Sequence, residues 1–145
     1  MIELNFPDYP FKFRQEGTQR LIFDSFRKKY VVLTPEEWVR QNVLVSLCES
    51  LGYPRGLISV EKEIKIGALR KRYDVVVYDR QQQPWMLVEC KEPGTAVSEK
   101  VLQQLLRYHQ ILQCPFWMLT NGMQHFCAEN RGGKVSWLNA MPQYS

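Results

Sequence analysis

Histidine is scarce in this sequence, and neither His109 nor His125 stands in zinc-ligand spacing with a cysteine. The four cysteines, Cys48, Cys90, Cys114 and Cys127, form no CxxC pair. These absences exclude the common structural zinc frameworks and speak against a disulfide scaffold, so four free thiols, buried or partly buried, are the expectation. Long hydrophobic runs are missing as well. Val75-Val76-Val77-Tyr78 and Phe116-Trp117-Met118-Leu119 are far too short to span a bilayer. The opening MIELNFPDYP lacks the basic and apolar regions of a secretory signal, and a cytoplasmic protein is expected. No internal repeat, linker or low-complexity segment interrupts the chain.

What is present is the makeup of one soluble domain. The 145 residues are 45% hydrophobic and 23% charged, which suggests neither disorder nor a fibrous fold. A net charge of +4 and a pI of about 8.9 permit a polyanionic partner without requiring one. Basic residues bunch at Arg27-Lys28-Lys29 and at Arg70-Lys71-Arg72, and the second bunch stands just before an aspartate, Asp74, inside an apolar stretch.

Residues 11–33 alternate apolar and polar side chains around an EGTQ turn, which predicts a β-hairpin. Thr34, Pro35 and Glu37 supply an N-cap, a first-turn proline and a capping-box glutamate. Val39, Val43, Leu44, Leu47 and Leu51 continue at helical spacing until Gly52 stops the helix. Residues 58–66, 72–79 and 85–91 read as three consecutive strands, the first with Glu61, Glu63 and Lys65 on an exposed face. A second helix is expected over residues 98–112, ended by Cys114-Pro115. FWMLT, the Asn121-Gly122 turn, MQHFCAE and a short strand around KVSWL complete the order. Trp38, Trp85, Trp117 and Trp137 are expected in or beside the core.

Asp74 lies in one predicted strand, and fourteen residues intervene before Glu89-Cys90-Lys91 ends the next. Side chains alternate along a strand, so Glu89 and Lys91 share a face, and pairing of the two strands would bring Asp74 to them. Clustered carboxylates repel, and burial adds to the cost of ionising them. Magnesium answers both problems: it takes one or two carboxylates and leaves the rest of its octahedron to water and phosphate. Asp74, Glu89 and the Cys90 carbonyl are the candidate ligands, with Lys91 positioned to orient water or to stabilise growing negative charge. That constellation implies a hydrolytic phosphodiesterase. The competing reading makes Glu89–Lys91 and Asp74–Arg72 ordinary surface pairs.

The order helix, three strands with the aspartate in the second and ExK in the third, helix, strand resembles the PD-(D/E)xK restriction-endonuclease-like core. The strings RKKYVVLTPEEWVRQ, KRYDVVVYD, LVECKEP, QLLRYHQIL and LTNG resemble the N-terminal nuclease domain of type I restriction enzyme R subunits in a short stand-alone form. The likeness runs from about Lys28 to about Cys127. It implies an α/β fold with a mixed central sheet flanked by helices (α-β-β-β-α-β), a core over 34–129 and an N-terminal hairpin extension over 1–33, all in one domain. It also implies a Mg²⁺- or Mn²⁺-dependent deoxyribonuclease in defence or DNA processing, with catalytic roles for Asp74, Glu89 and Lys91.

By the same match, Glu36 takes the place of the acidic residue of the first helix, and Gln104 and Tyr108 match a QxxxY motif. Both of these lie on one side of the second helix, where they could hydrogen-bond a metal-site group or the DNA backbone. Glu36 shares a helical face with Val39, Arg40 and Val43 and is expected to look inward, while Arg40 could pair with it or reach a phosphate. Arg70, Lys71 and Arg72 are expected to form a positive rim for phosphates. A chain of 145 residues leaves no room for a helicase motor or a target-recognition module, so a helicase or a methyltransferase/specificity chain is an expected partner alongside DNA. The alternative is a non-catalytic nucleic-acid-binding or complex-forming module on the same fold.

Overall fold

The computed structural model describes residues 2–109 and 112–145, with Tyr108 taken without its side chain. The chain opens as a three-stranded antiparallel sheet of β1 (Phe13–Glu16), β2 (Gln19–Asp24) and β3 (Lys29–Val32), one strand more than the expected hairpin. The extra strand follows from a second turn. Oδ1 of Asp24 accepts from the backbone N–H groups of Phe26 (2.7 Å) and Arg27 (2.9 Å). This side chain curls residues 25–28 back and lets Lys29–Val32 pair with β2.

Helix α1 (Pro35–Val45) begins as its signals dictate, with Thr34 Oγ1 accepting from Glu37 N at 3.0 Å. Only half of the capping box forms. The N–H of Thr34 donates to Val32 O, and the Glu37 carboxylate is buried against arginines instead of returning to the cap. The helix does not stay α-helical to Leu51; it widens into a π turn over Ser46–Ser50, where Leu51 N–H reaches Ser46 O at 3.1 Å. Val39, Val43, Leu44 and Leu47 are each 1% exposed or less, and burying each stabilises the fold by roughly 1.5–3 kcal/mol.

The main sheet has six strands in chain order: β4 (Ile58–Ile66), β5 (Leu69–Tyr78), β6 (Pro84–Cys90), β7 (Phe116–Thr120), β8 (His125–Arg131) and β9 (Lys134–Leu138). All neighbours are antiparallel except β6 and β7, whose parallel pairing requires the crossover that α2 (Glu99–Tyr108) provides. Helix α2 ends at Tyr108, short of the expected Leu112. Gln110 and Ile111 lie outside the described residues.

Each face of the sheet has its own core. Val39, Val43 and Leu44 of α1 and Leu47 of the π turn pack on Val75, Val77, Met86, Val88 and Cys90. Leu102 and Leu106 of α2 pack on Tyr73, Val76, Leu87, Trp117 and Leu119 from the other side. Helices on both faces explain why Val75, Val76 and Val77 are all fully buried, where a one-sided sheet would alternate. Trp85 and Trp117 are buried and Trp38 packs against the α1-side core, but Trp137 on β9 is 39% exposed. The four cysteines are free, three of them buried. Among the described residues no helix is long and apolar enough to cross a membrane.

Candidate active site

The site forms where β5 and β6 part company. Their ladder holds through Val75–Val88 and goes no further. β6 instead keeps its pairing with β7 through Cys90–Thr120, and Lys91 N–H donates to Thr120 O at 2.8 Å. The N–H of Cys90, left without a β5 carbonyl, donates at 2.8 Å to Oδ2 of Asp74. An aspartate therefore replaces the missing rung, and the gap it bridges lies between the middle of β5 and the end of β6.

On the other side of β5, the pairing with β4 runs through Val60–Val75 and Lys62–Tyr73 but omits the step at Glu61. Glu61 sits at φ +53°, in the left-handed region that a non-glycine residue rarely occupies inside a strand. Glu61 is exposed, as the sequence pattern has it, but its carboxylate turns toward α1. Arg40, only 5% exposed, occupies the space between. Its Nη1 lies 3.1 Å from both Glu37 Oε1 and Glu61 Oε1, and its Nη2 lies 3.1 Å from Asp74 Oδ1. Arg27 extends the network to the N-terminal sheet, bonding Asp24 Oδ2 at 2.6 Å, Glu37 Oε1 at 3.0 Å and Glu61 Oε2 at 3.3 Å.

Glu89 is 7% exposed, and its oxygens face two ammonium groups, Lys71 Nζ at 3.7 Å and Lys91 Nζ at 3.9 Å. Burial, and then the negative charge of Asp74, push the Glu89 carboxyl above the usual carboxylate range. Burial also raises Asp74, against the opposing pull of the Cys90 N–H and Arg40. For Glu36 the causes are burial and then Asp74, with Arg40 and Lys91 opposing. Asp74 thus acts electrostatically on Glu89 and Glu36, and Lys91 acts on all three carboxyls.

Glu36 is not the inward-looking residue that helical spacing predicts. Its side chain is 48% exposed and 3.8 Å from Arg40 Nη2, while the neighbouring Glu37 is the buried one. The basic run is only partly free: Arg70 Nε lies 3.4 Å from Glu63, Lys71 faces Glu89, and Arg72 is exposed. Gln104 is exposed on α2, and the Tyr108 side chain lies outside what is described. Glu61, Arg27, Asp24 and Gln41 belong to the network without having been singled out in the sequence. No signal marks them, since a glutamate in an alternating strand looks solvent-facing.

The donor set suits a hard divalent ion. Among the described residues no three His, Cys, Asp or Glu side chains gather in metal-ligand geometry. Two carboxylates and a backbone carbonyl, those of Asp74, Glu89 and Cys90, would be the share that magnesium ordinarily takes. Burial raises both carboxyls and the charge of Asp74 raises Glu89 further, against Arg40, Lys71 and Lys91, so further positive charge at the site would favour their ionised forms. Beside the site, an apolar groove of about 420 Å³ is lined by Pro35 and Trp38 on one side and by Glu92, Pro93 and Gly94 on the other.

Comparison with solved structures finds the fold in a fragment described as that of an HsdR subunit of a type I restriction enzyme from Vibrio vulnificus YJ016. The TM-score is 0.54 at 22% sequence identity, over 77% of this chain but only 24% of the other, a likeness of fold alone. Comparison with curated proteins gives no match. The family described as type I restriction enzyme R protein N terminus (HSDR_N) matches residues 35–142, which takes in α1, the whole six-stranded sheet, Asp74, Glu89 and Lys91, and the chain belongs to that family.

Proposed function

We propose that this chain is a Mg²⁺- or Mn²⁺-dependent deoxyribonuclease that hydrolyses phosphodiester bonds in restriction-type defence or DNA processing. One observation carries the reading: at the β5–β6 split, the negative charge of Asp74 adds to burial in raising Glu89, while Lys91 stands 3.9 Å from Glu89.

Asp74, Glu89 and the Cys90 carbonyl would hold the ion, which when bound supplies charge neutralisation at the phosphate and a more acidic water. Lys91, half-exposed and tethered to Glu89, holds a positive charge where negative charge grows on the phosphate oxygens, and its ammonium can donate to an attacking water. Arg40 and the Cys90 N–H fix the orientation of Asp74. Arg70 and Arg72 add positive charge at the rim, with Gln104 and Tyr108 in supporting roles on α2. In the net reaction, water adds across one P–O ester bond to leave a phosphate monoester and a free hydroxyl. Work on DNA implies a cytoplasmic setting, with a helicase or a methyltransferase/specificity chain as partner.

The test is cleavage of linear and closed-circular DNA with Mg²⁺ or Mn²⁺, by wild type and by Lys91→Ala. Metal-dependent cutting by wild type, reduced at least about a hundredfold in the variant, supports the reading. A wild type that leaves both substrates intact with either metal would overturn it.

A second reading has its own support. Every carboxylate oxygen of Asp74 and Glu89 already faces a protein donor or ammonium: Arg40 and Cys90 N–H for one, Lys71 and Lys91 for the other. A site that satisfies itself this way suits a non-catalytic nucleic-acid-binding module on the same fold.

A further inference from the structure

The positive charge of this chain is concentrated outside the region matched to the family. Residues 11–33 contain Lys12, Arg14, Arg20, Arg27, Lys28 and Lys29 against Glu16 and Asp24, an excess equal to the whole net charge of +4. The rest of the molecule is balanced. Of these cations Arg27 is committed to ion pairs with Asp24, Glu37 and Glu61. Lys12, Arg20, Lys28 and Lys29 are exposed and make no ion pair among the described residues, and Arg14 has only a 3.7 Å contact with exposed Glu16.

The sheet has two unlike faces. Ile22 and Asp24 are fully buried on the side toward the body of the protein, where Phe13 also meets Trp38. Pairing places Arg14 with Leu21, Leu21 with Val32, and Phe23 with Tyr30 on the opposite face, where the backbone of Lys12 also bonds to Phe23. On that face the Arg14 guanidinium lies 4.0 Å from the Tyr30 ring centre and Lys12 Nζ 5.9 Å from that of Phe23. An aromatic underlay holds a cation extended over apolar surface without neutralising it. At one end, the turn bearing Lys28 and leading to Lys29 is pinned by Asp24, and Arg27 of the same turn bonds Glu37, which shares Arg40 with Asp74. The basic sheet is therefore linked to the candidate active site through Arg27, Glu37 and Arg40.

We infer that the β1–β3 sheet is a phosphate-tracking surface that seats a nucleic-acid duplex, with Lys12, Arg14, Lys28 and Lys29 as its contacts. This rests on the reading of the chain as acting on DNA, and it makes the N-terminal sheet, rather than the Arg70–Arg72 run, the main source of affinity. Exposed, unpaired cations read charge and not sequence, so binding should be insensitive to base order and steeply dependent on salt.

The experiment titrates a labelled 20-base-pair duplex with the full chain in EDTA over a series of KCl concentrations, by fluorescence anisotropy. Combined substitution Lys12→Gln, Arg14→Gln, Lys28→Gln and Lys29→Gln should weaken binding by tenfold or more at low salt. It should also reduce the slope of log K against log salt by about 3.6, at roughly 0.9 per phosphate contact. Arg70→Gln with Arg72→Gln should change the slope less. The pair Lys28→Gln and Lys29→Gln, in an exposed turn, gives a milder version should the fourfold variant melt below wild type. Unchanged slope and affinity in both N-terminal variants, or no duplex binding by wild type, overturns the inference. Because divalent metal is absent, patch-dependent binding by a protein that never cuts would sink the nuclease reading alone. Cutting that survives loss of the patch with unaltered binding would sink this inference alone.

Discussion

Arg40 donates from Nη2 to Asp74 Oδ1 at 3.1 Å while being nearly inaccessible to solvent, so the aspartate at the strand split is held by a buried cation. The same guanidinium neutralises Glu37 and Glu61. Replacing it with alanine leaves those acids facing one another with less compensation, a change that ordinarily costs about 3–5 kcal/mol for a buried ion-paired group. Arg40→Lys keeps the charge but lacks the planar fork needed to reach several carboxylates at once, and should fall between wild type and Arg40→Ala. Urea denaturation of the three proteins checks the ranking; equal midpoints for wild type and Arg40→Ala would show that the network adds nothing to stability.

Glu61 offers a test of backbone strain. At φ +53° in mid-strand, a side chain costs about 1 kcal/mol that glycine does not incur. Both Glu61→Ala and Glu61→Gly lose the bonds to Arg27 and Arg40, so the difference between them reports the backbone alone. Glu61→Gly should be the more stable by about 1 kcal/mol, the reverse of the usual order within a strand. Thermal melting of the pair decides it.

The sequence disclosed elements better than it disclosed the links between them. Thr34-Pro35, the Val39–Leu47 spacing and the dense β-branched run at Val75–Val77 are local signals, and helix α1 and the buried strand stand where those signals put them. Asp74 and Glu89 stand out as candidates because charges inside apolar strands are conspicuous, and Lys91 follows from alternation past the end of β6. Glu36 and Glu37 were exchanged in orientation because two adjacent glutamates in a first helical turn are equally compatible with capping and dipole effects. The decision belongs to Arg27, a residue from a turn ten positions earlier, whose approach to Glu37 no periodicity encodes. The third N-terminal strand was hidden for a related reason: it depends on the Asp24 side chain bonding the backbone of the turn it creates.

Asp24 should make stability depend on acid. Its burial works to raise the pKa, but hydrogen bonds from the Arg27 backbone, the Arg27 side chain and Gln41 outweigh that and leave it below the ordinary 3.8. A carboxyl depressed on folding contributes stability that is complete above its unfolded value and is lost as pH falls from about 3.8 through the lower folded value. Asp24→Asn should therefore be less stable than wild type by about 2–4 kcal/mol near neutrality, with the gap narrowing below pH 3.8. Denaturant midpoints measured from pH 7 down to pH 3 give the comparison; a gap that stays constant throughout would remove Asp24 as its source.

Glu89 separates a metal site from a set of ion pairs, because the two make opposite demands on the folded state. Its partners Lys71 and Lys91 are 35% and 40% exposed, so water can compensate either ammonium when the carboxylate is removed. Asp74, in contrast, is a partly buried like charge, and losing Glu89 removes the repulsion between them. Glu89→Gln should then be as stable as wild type or more stable, by up to about 1 kcal/mol. Wild type should gain thermal stability when Mg²⁺ or Mn²⁺ is added, by mass action on the folded state, and the variant should lose most of that gain. Melting curves of both proteins with and without metal read all of these effects together. A variant clearly less stable than a wild type that ignores metal would mean that Glu89 serves Lys71 and Lys91 as a structural counter-charge, and the non-catalytic reading would prevail.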